Sequence, residues 1–161
     1  ALQELHPDDR KQVRLTVATM PFSGERGYYN EMYERFVTLG YRQWHINASA
    51  KEIACFMLEN DLLVLPSVKN EAAPLAILEA FSKKLPVLAS DYIAMQDMIT
   101  DAHNGRLFRN GDAEDLSLKL FEILKRPEQL PQWSSHISPV RDSSEIGREM
   151  EAIYQDVVSG E

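Results

Sequence analysis

Residues 61–79 read DLLVLPSVKNEAAPLAILE, and the fold turns on how they are read. A wholly apolar run ends at Pro66-Ser67, a short polar loop carries Glu71, and a second, mostly apolar run begins at Pro74 and carries Glu79. A short apolar run bounded by turn formers reads as a buried strand, and the longer run after it as a helix. Two carboxylates thereby stand at the carboxyl end of a parallel-type strand and on the helix behind it. Open α/β sheets bind their ligands at that edge.

Outward from this stretch, strand and helix signals alternate. Residues 13–19 (VRLTVAT) are rich in β-branched side chains and stop at Met20-Pro21, which marks a strand. Residues 22–27 read as a loop. Residues 28–39 read as an amphipathic helix through Tyr29, Met32, Tyr33, Phe36 and Val37, with Gly40 as its C-cap. Tyr28, Tyr29, Tyr33 and Phe36 form a face that is expected to be core. A second strand is expected over 41–47, and Ser49 is placed to cap a helix over 50–60. The third strand covers 61–65, a helix 74–84, the fourth strand 86–90 and a short helix 92–99. Asn104-Gly105 reads as a turn into a short fifth strand over 106–108. Asp112 starts a helix that Arg126-Pro127 stops after residue 125. Residues 128–142, rich in Pro, Ser and Gln, are expected to be irregular, and Ser143 or Ser144 to cap a last helix reaching about residue 158. The alternation calls for a parallel sheet with helices on both faces, either Rossmann-like or flavodoxin-like.

Composition bounds the function. A chain of 161 residues with 44% hydrophobic and 26% charged residues is a globular domain of ordinary size. The net charge of -8 offers no basic excess to neutralise phosphates, which argues against nonspecific nucleic-acid binding. Cys55 is the single cysteine, so no internal disulfide forms and a reducing, cytoplasmic setting is expected; among Ile53, Ala54 and Phe56 it reads as a small core residue. The four histidines show no metal-ligand spacing. There is no GxxxxGK and no GxGxxG, which removes P-loop and dinucleotide-binding readings.

Glu71, seven intervening residues and Glu79, preceded by an apolar strand ending in Pro-Ser, resemble the signature of nucleotide-sugar-dependent retaining glycosyltransferases of the GT-B fold. The likeness is to the C-terminal, donor-binding domain of the glycogen-synthase-like group. It continues through LPVLASDYIAMQDMITDAHNGRLFRNGDAEDLSLKL and covers roughly residues 13–124. The resemblance decides for a Rossmann-like domain, the C-terminal half of a GT-B fold.

The resemblance also assigns roles. The residue matching Glu79 accepts hydrogen bonds from the ribose hydroxyls of the donor, for which a carboxylate supplies two acceptor oxygens. The competing account is an i,i+4 ion pair with Lys83 at a solvated edge. Glu71 matches the position that meets the donor sugar at the anomeric centre, where it would orient the sugar and stabilise oxocarbenium-like charge. Ser67 ends the strand before the loop. Ala72, Ala73, Pro74 and Leu75 enter the helix, whose free N–H groups suit a diphosphate, and Pro74 is expected as the first helical residue. Arg26, after the first strand, is a candidate for the phosphates, with an ion pair to Glu25 or Glu31 as the plain alternative. Relatives commonly carry Gly where Ala72 stands, and a Gly-Gly turn where Tyr92-Ile93-Ala94-Met95 stands.

The resemblance implies a single domain over 1–161 that starts after the family's first βα unit, with the N-terminal acceptor-binding domain missing. The full enzyme would move a sugar, of hexosyl type, from a nucleotide-diphosphate sugar to a glycan, lipid or protein acceptor. It would use no metal and no cofactor, and peripheral membrane association would be compatible with it. The isolated chain is expected to bind nucleotide weakly and not to turn over. The alternative is a non-catalytic Rossmann-like interaction or regulatory module. A receiver-like domain is disfavoured because Pro66-Ser67 stands where its phosphorylatable Asp would be.

Overall fold

Strand and helix alternate along the computed structural model, which describes residues 1–19, 26–68 and 74–159, with the backbone alone at Arg26. The elements in order are α1 (Pro7–Arg10), β1 (Thr16–Thr19), α2 (Arg26–Thr38), β2 (Gln43–Ile46), α3 (Ala50–Glu59), β3 (Leu63–Leu65) and α4 (Leu75–Ser82). Then follow β4 (Val87–Ser90), α5 (Ile93–Gln96), β5 (Gly105–Phe108), α6 (Ala113–Lys125), α7 (Gln129–His136) and α8 (Ser143–Ser159). All pairings are parallel. β1 lies against β2 with Val17 opposite Trp44. β3, β4 and β5 form a second ladder in that order, with Leu88 opposite Val64 on one side and Arg106 on the other. The expected parallel α/β architecture is the observed one.

β4 is the centre of the second ladder, and all four of its residues are buried. Alternation along the strand sends Val87 and Ala89 into a core with Met57 of α3, Ile77, Ala80 and Phe81 of α4 and Met95 of α5. Leu88 points the other way, to Phe108, Ile123 of α6 and Trp133 of α7. Helices therefore cover both faces of this ladder. The β1–β2 pair is held differently. Trp44 lies edge-on to Tyr29, Tyr33 and Phe36 of α2, with ring centroids 5.7, 5.6 and 5.1 Å away, and donates its indole N–H to the Tyr29 hydroxyl at 2.8 Å. Phe36 is buried as expected, whereas Tyr28 lies outside the cluster and is 65% exposed. The N-terminal segment is tied in by Leu5, which is buried, and by Asp9, whose carboxylate meets the Lys125 ammonium at 2.6 Å.

The local signals at the helix ends act as read. Ser49 caps α3 in a reciprocal arrangement: its hydroxyl accepts from the Glu52 N–H, and the Glu52 carboxylate accepts from the Ser49 N–H at 2.8 Å. Asp112 accepts from the Asp115 N–H at 2.9 Å. Gly40 ends α2 with φ +92°, a conformation that costs glycine little.

Five expectations are corrected. Residues 129–136 are helical, not irregular: Pro131 sits in the first turn of α7, where its missing N–H is not needed, and Trp133 and Ile137, one turn apart, are both buried. α8 is capped by Asp142, which accepts from the N–H groups of Ser144 and Glu145, both at 2.8 Å, and not by Ser143 or Ser144. Pro74 is the N-cap of α4, and Leu75 is its first helical residue. Cys55 is exposed, because α3 turns Ile53 and Met57 toward the core and Cys55 away from it. α5 is shorter than 92–99, since the chain turns away after Gln96. No helix among the described residues is long and apolar enough to cross a membrane.

Candidate functional site

The carboxyl edge of the β3–β4–β5 ladder is built by the chain leaving β3 and returning as α4. Ser67 is half-buried there, and Val68 beside it is 65% exposed. Glu71, Ala72 and Ala73 lie outside the described residues. The chain is described again at Pro74, which is buried with φ -75° and ψ 88°, and whose carbonyl accepts from the Ile77 N–H at 2.9 Å. Leu75 is 65% exposed. Ser67, Pro74 and Leu75 are thus brought to one edge of one ladder. Arg26 opens α2, beyond the other ladder, and its side chain lies outside the described atoms; Glu31, one of its suggested partners, holds Arg35 at 2.6 Å.

Glu79 is one turn into α4. The apolar run around it suggested a largely buried helix, but only Ile77, Ala80 and Phe81 are buried. Glu79 is exposed, so it carries no large desolvation cost. The suggested ion pair with Lys83 is not formed. Among the described residues neither side chain takes a hydrogen bond or an ion pair; the one contact at Glu79 is its backbone carbonyl, which accepts from the Ser82 hydroxyl at 2.7 Å.

Both side chains instead line a cleft of about 330 Å³ between α3 and α4, at the lower end of the range for small-molecule sites. Ile53, Ala54 and Met57 form the α3 wall, Glu79, Ser82 and Lys83 the α4 wall, and Ala48 and Ala50 stand where α3 begins. Asn47, just before Ala48, has φ +53° and donates its N–H to the Thr19 carbonyl at 2.9 Å, which fixes the chain as it leaves β2. The Ser49–Glu52 capping pair then holds the first turn of α3. The Ser49 hydroxyl, followed by its N–H, keeps the Glu52 carboxyl below its ordinary value. Among the described residues that line the cleft, Glu79 is the carboxylate.

The sequence pointed to Glu79 but missed its cleft. Lys83 enters the sequence reading only as its partner, and nothing there points to the α3 wall as part of a site. The i,i+4 spacing that suggested the pair was itself the signal, since it puts both side chains on one face. Chemically, a free carboxylate supplies acceptors for vicinal hydroxyls, and the first N–H groups of α4 suit an anion. Among the described residues no group of three or more His, Cys, Asp or Glu converges as a metal site.

Comparison with known proteins shows the family and the fold. Residues 8–137 match the family described as glycosyl transferases group 1. The chain is 32% identical over 114 residues to the sulfoquinovosyl transferase SQD2 of Arabidopsis thaliana, a match covering 69% of this chain and 22% of that protein. It is 29% identical over 80 residues to the uncharacterized glycosyltransferase MJ1178 of Methanocaldococcus jannaschii, covering 50% of this chain and 22% of that protein. In fold it is similar to Alr3699/HepE of Anabaena, solved with UDP and glucose, at a TM-score of 0.74 and 19% identity, covering 93% of this chain and 43% of that one. The sucrose-phosphate synthase of Thermosynechococcus elongatus gives a TM-score of 0.75 at 15% identity, covering 96% of this chain and 42% of that one. The chain therefore spans about a fifth of the length of the curated relatives it matches and well under half of these solved structures.

Proposed function

The chain belongs to the glycosyl transferases group 1 family, and on that premise we propose that it forms the nucleotide-sugar donor site of a retaining, hexosyl-type glycosyltransferase. The observation that carries the reading is Glu79: a carboxylate with no side-chain partner among the described residues, on the helix behind the β3 loop and lining a cleft of about 330 Å³. It takes the two ribose hydroxyls, and the amino end of α4 takes the diphosphate. Glu71, in the loop between β3 and α4, faces the sugar at the anomeric centre and supports positive charge as the bond to the diphosphate breaks. Arg26 and Ser67 add phosphate contacts, and Ala72, Ala73, Pro74 and Leu75 shape the helix entrance. No cofactor or metal takes part. The acceptor, a glycan, lipid or protein, binds to a further domain of a longer polypeptide, and the reaction runs in the cytoplasm. The 161-residue chain alone binds nucleotide weakly and does not turn over.

Calorimetric titration with UDP, GDP and ADP tests this. Saturable binding of at least one nucleotide is expected, weakened about tenfold or more in Glu79→Ala because hydrogen bonds to a charged group are lost. Equal affinity in the variant would refute the role of Glu79. That result would favour a second reading, a non-catalytic interaction module, for which α8 speaks: it has no buried residue and exposes Ile146, Met150, Ile153 and Val157 along one side.

A further inference from the structure

Lys83 is the second free charge of the α3–α4 cleft, and the proposed function gives it no task. We propose that Lys83 reads the base of the bound nucleotide and selects uracil or guanine over adenine. The inference rests on the assignment of Glu79 to the ribose.

The argument is one of register along α4. Leu75, Glu79 and Lys83 are four residues apart, and four residues advance a helix by about 6 Å. An anion at the amino end, hydroxyls at Glu79 and a third group at Lys83 reproduce the order diphosphate, ribose, base. Lys83 is the C-cap of the helix, its N–H donating to the Ala80 and Phe81 carbonyls, so the root of its side chain is fixed while its ammonium is free. Across the cleft the wall is small and apolar. Ala48, Ala50 and Ala54 leave room for a flat ring, and Met57 offers a soft, polarizable surface.

An ammonium has three donors and no acceptor. It meets a carbonyl oxygen well and an amino group badly. Guanine presents O6, and uracil, like thymine, presents O4, where adenine carries its N6 amino donor. The plain alternative is that Lys83 only complements the negative end of the helix dipole, and it predicts no preference among bases.

The test is calorimetric titration of the 161-residue chain with UDP, GDP and ADP, using wild type, Lys83→Met and Lys83→Arg, with circular dichroism to confirm the fold. Wild type should bind UDP or GDP about tenfold more tightly than ADP. Lys83→Met should bring that ratio to within about twofold, by weakening the favoured nucleotide, and Lys83→Arg should keep most of it. A ratio near one in wild type, or an unchanged ratio in Lys83→Met, overturns the role of Lys83. If Glu79→Ala still weakens binding in that case, the donor-site reading survives. If wild type binds none of the three nucleotides, the donor-site reading and the inference fall together.

Discussion

The two ladders of this chain are the same kind of structure held in opposite ways. β3–β4–β5 is organised around a strand whose every residue is buried, with a separate apolar core on each face. β1–β2 is held by aromatic contacts at its surface, Trp44 against α2 and His45 against Phe56 of α3, and leaves Ala18 and Ile46 exposed. Stability in a protein is distributed, and segments with few buried apolar contacts open first. The difference teaches that α4, with Glu79 and Lys83, is seated on the firm ladder, while the opposite wall of the cleft begins at the end of the weak one. The proposed donor cleft should therefore be firmer on its α4 side than on its α3 side.

The hardest way to break the comparison is at Gly105. A Cβ there would fall 2.2 Å from the Val87 carbonyl oxygen and 3.2 Å from Ile99 Cγ2, so β4 and β5 would have to part. Gly105→Ala should cost about 3 kcal/mol or more and lower the midpoint of global denaturant unfolding accordingly. A midpoint unchanged within error would show that the central ladder has slack that its packing denies. Next in size is Trp44→Ala, expected to cost about 2–3 kcal/mol because the ring is only half-buried. Here the informative readout is hydrogen exchange. Amides of β1 and β2 should lose protection while those of β4 keep it, and equal loss in both would mean that the two halves open as one.

The smallest effect sharpens the comparison at the join. Ser49→Ala should destabilise the start of α3 by about 1 kcal/mol, seen as extra fraying of residues 50–53 by NMR. The cap also carries a pH dependence of definite sign. Because Glu52 has a lower value folded than its ordinary 4.5, its stabilising contribution is complete above about pH 4.5 and disappears as pH falls through the depressed folded value. Ser49→Ala should flatten that acid dependence, and an unaltered acid profile would remove Glu52 from the account.

Much of this was legible because it was local. Ser49 and Asp112 declare their caps in the chain itself, and the β4 run could hardly be anything but a buried strand; the reciprocal part that Glu52 plays at Ser49 came only with the structure. The candidate site was legible in one dimension only. Glu79 could be found from its spacing to Glu71, but that it faces α3, and that it ignores Lys83, depends on how two helices sit side by side. α7 was missed for a related reason. Its helix-forming signal is Leu130, Trp133 and Ile137 at helical spacing, and the polar residues and Pro131 around them speak more loudly until a core exists to receive them. Cys55 shows the converse, since an apolar neighbourhood in sequence does not say which side of a helix a residue occupies.

Lys84 has a consequence for where this fold can end. With φ +58° it reverses the chain after α4, and from that turn its ammonium donates to the Ile137 carbonyl at 2.5 Å while its own carbonyl accepts from the Ser134 hydroxyl at 2.7 Å. The turn between α4 and β4 is therefore closed by residues about fifty positions later. Arg126-Pro127 looks like a natural terminus in sequence, but a chain cut there would lose both clasps and the buried Trp133 with them. A piece that runs through Ile137 keeps both, and Ile137 is also the residue at which the family match stops.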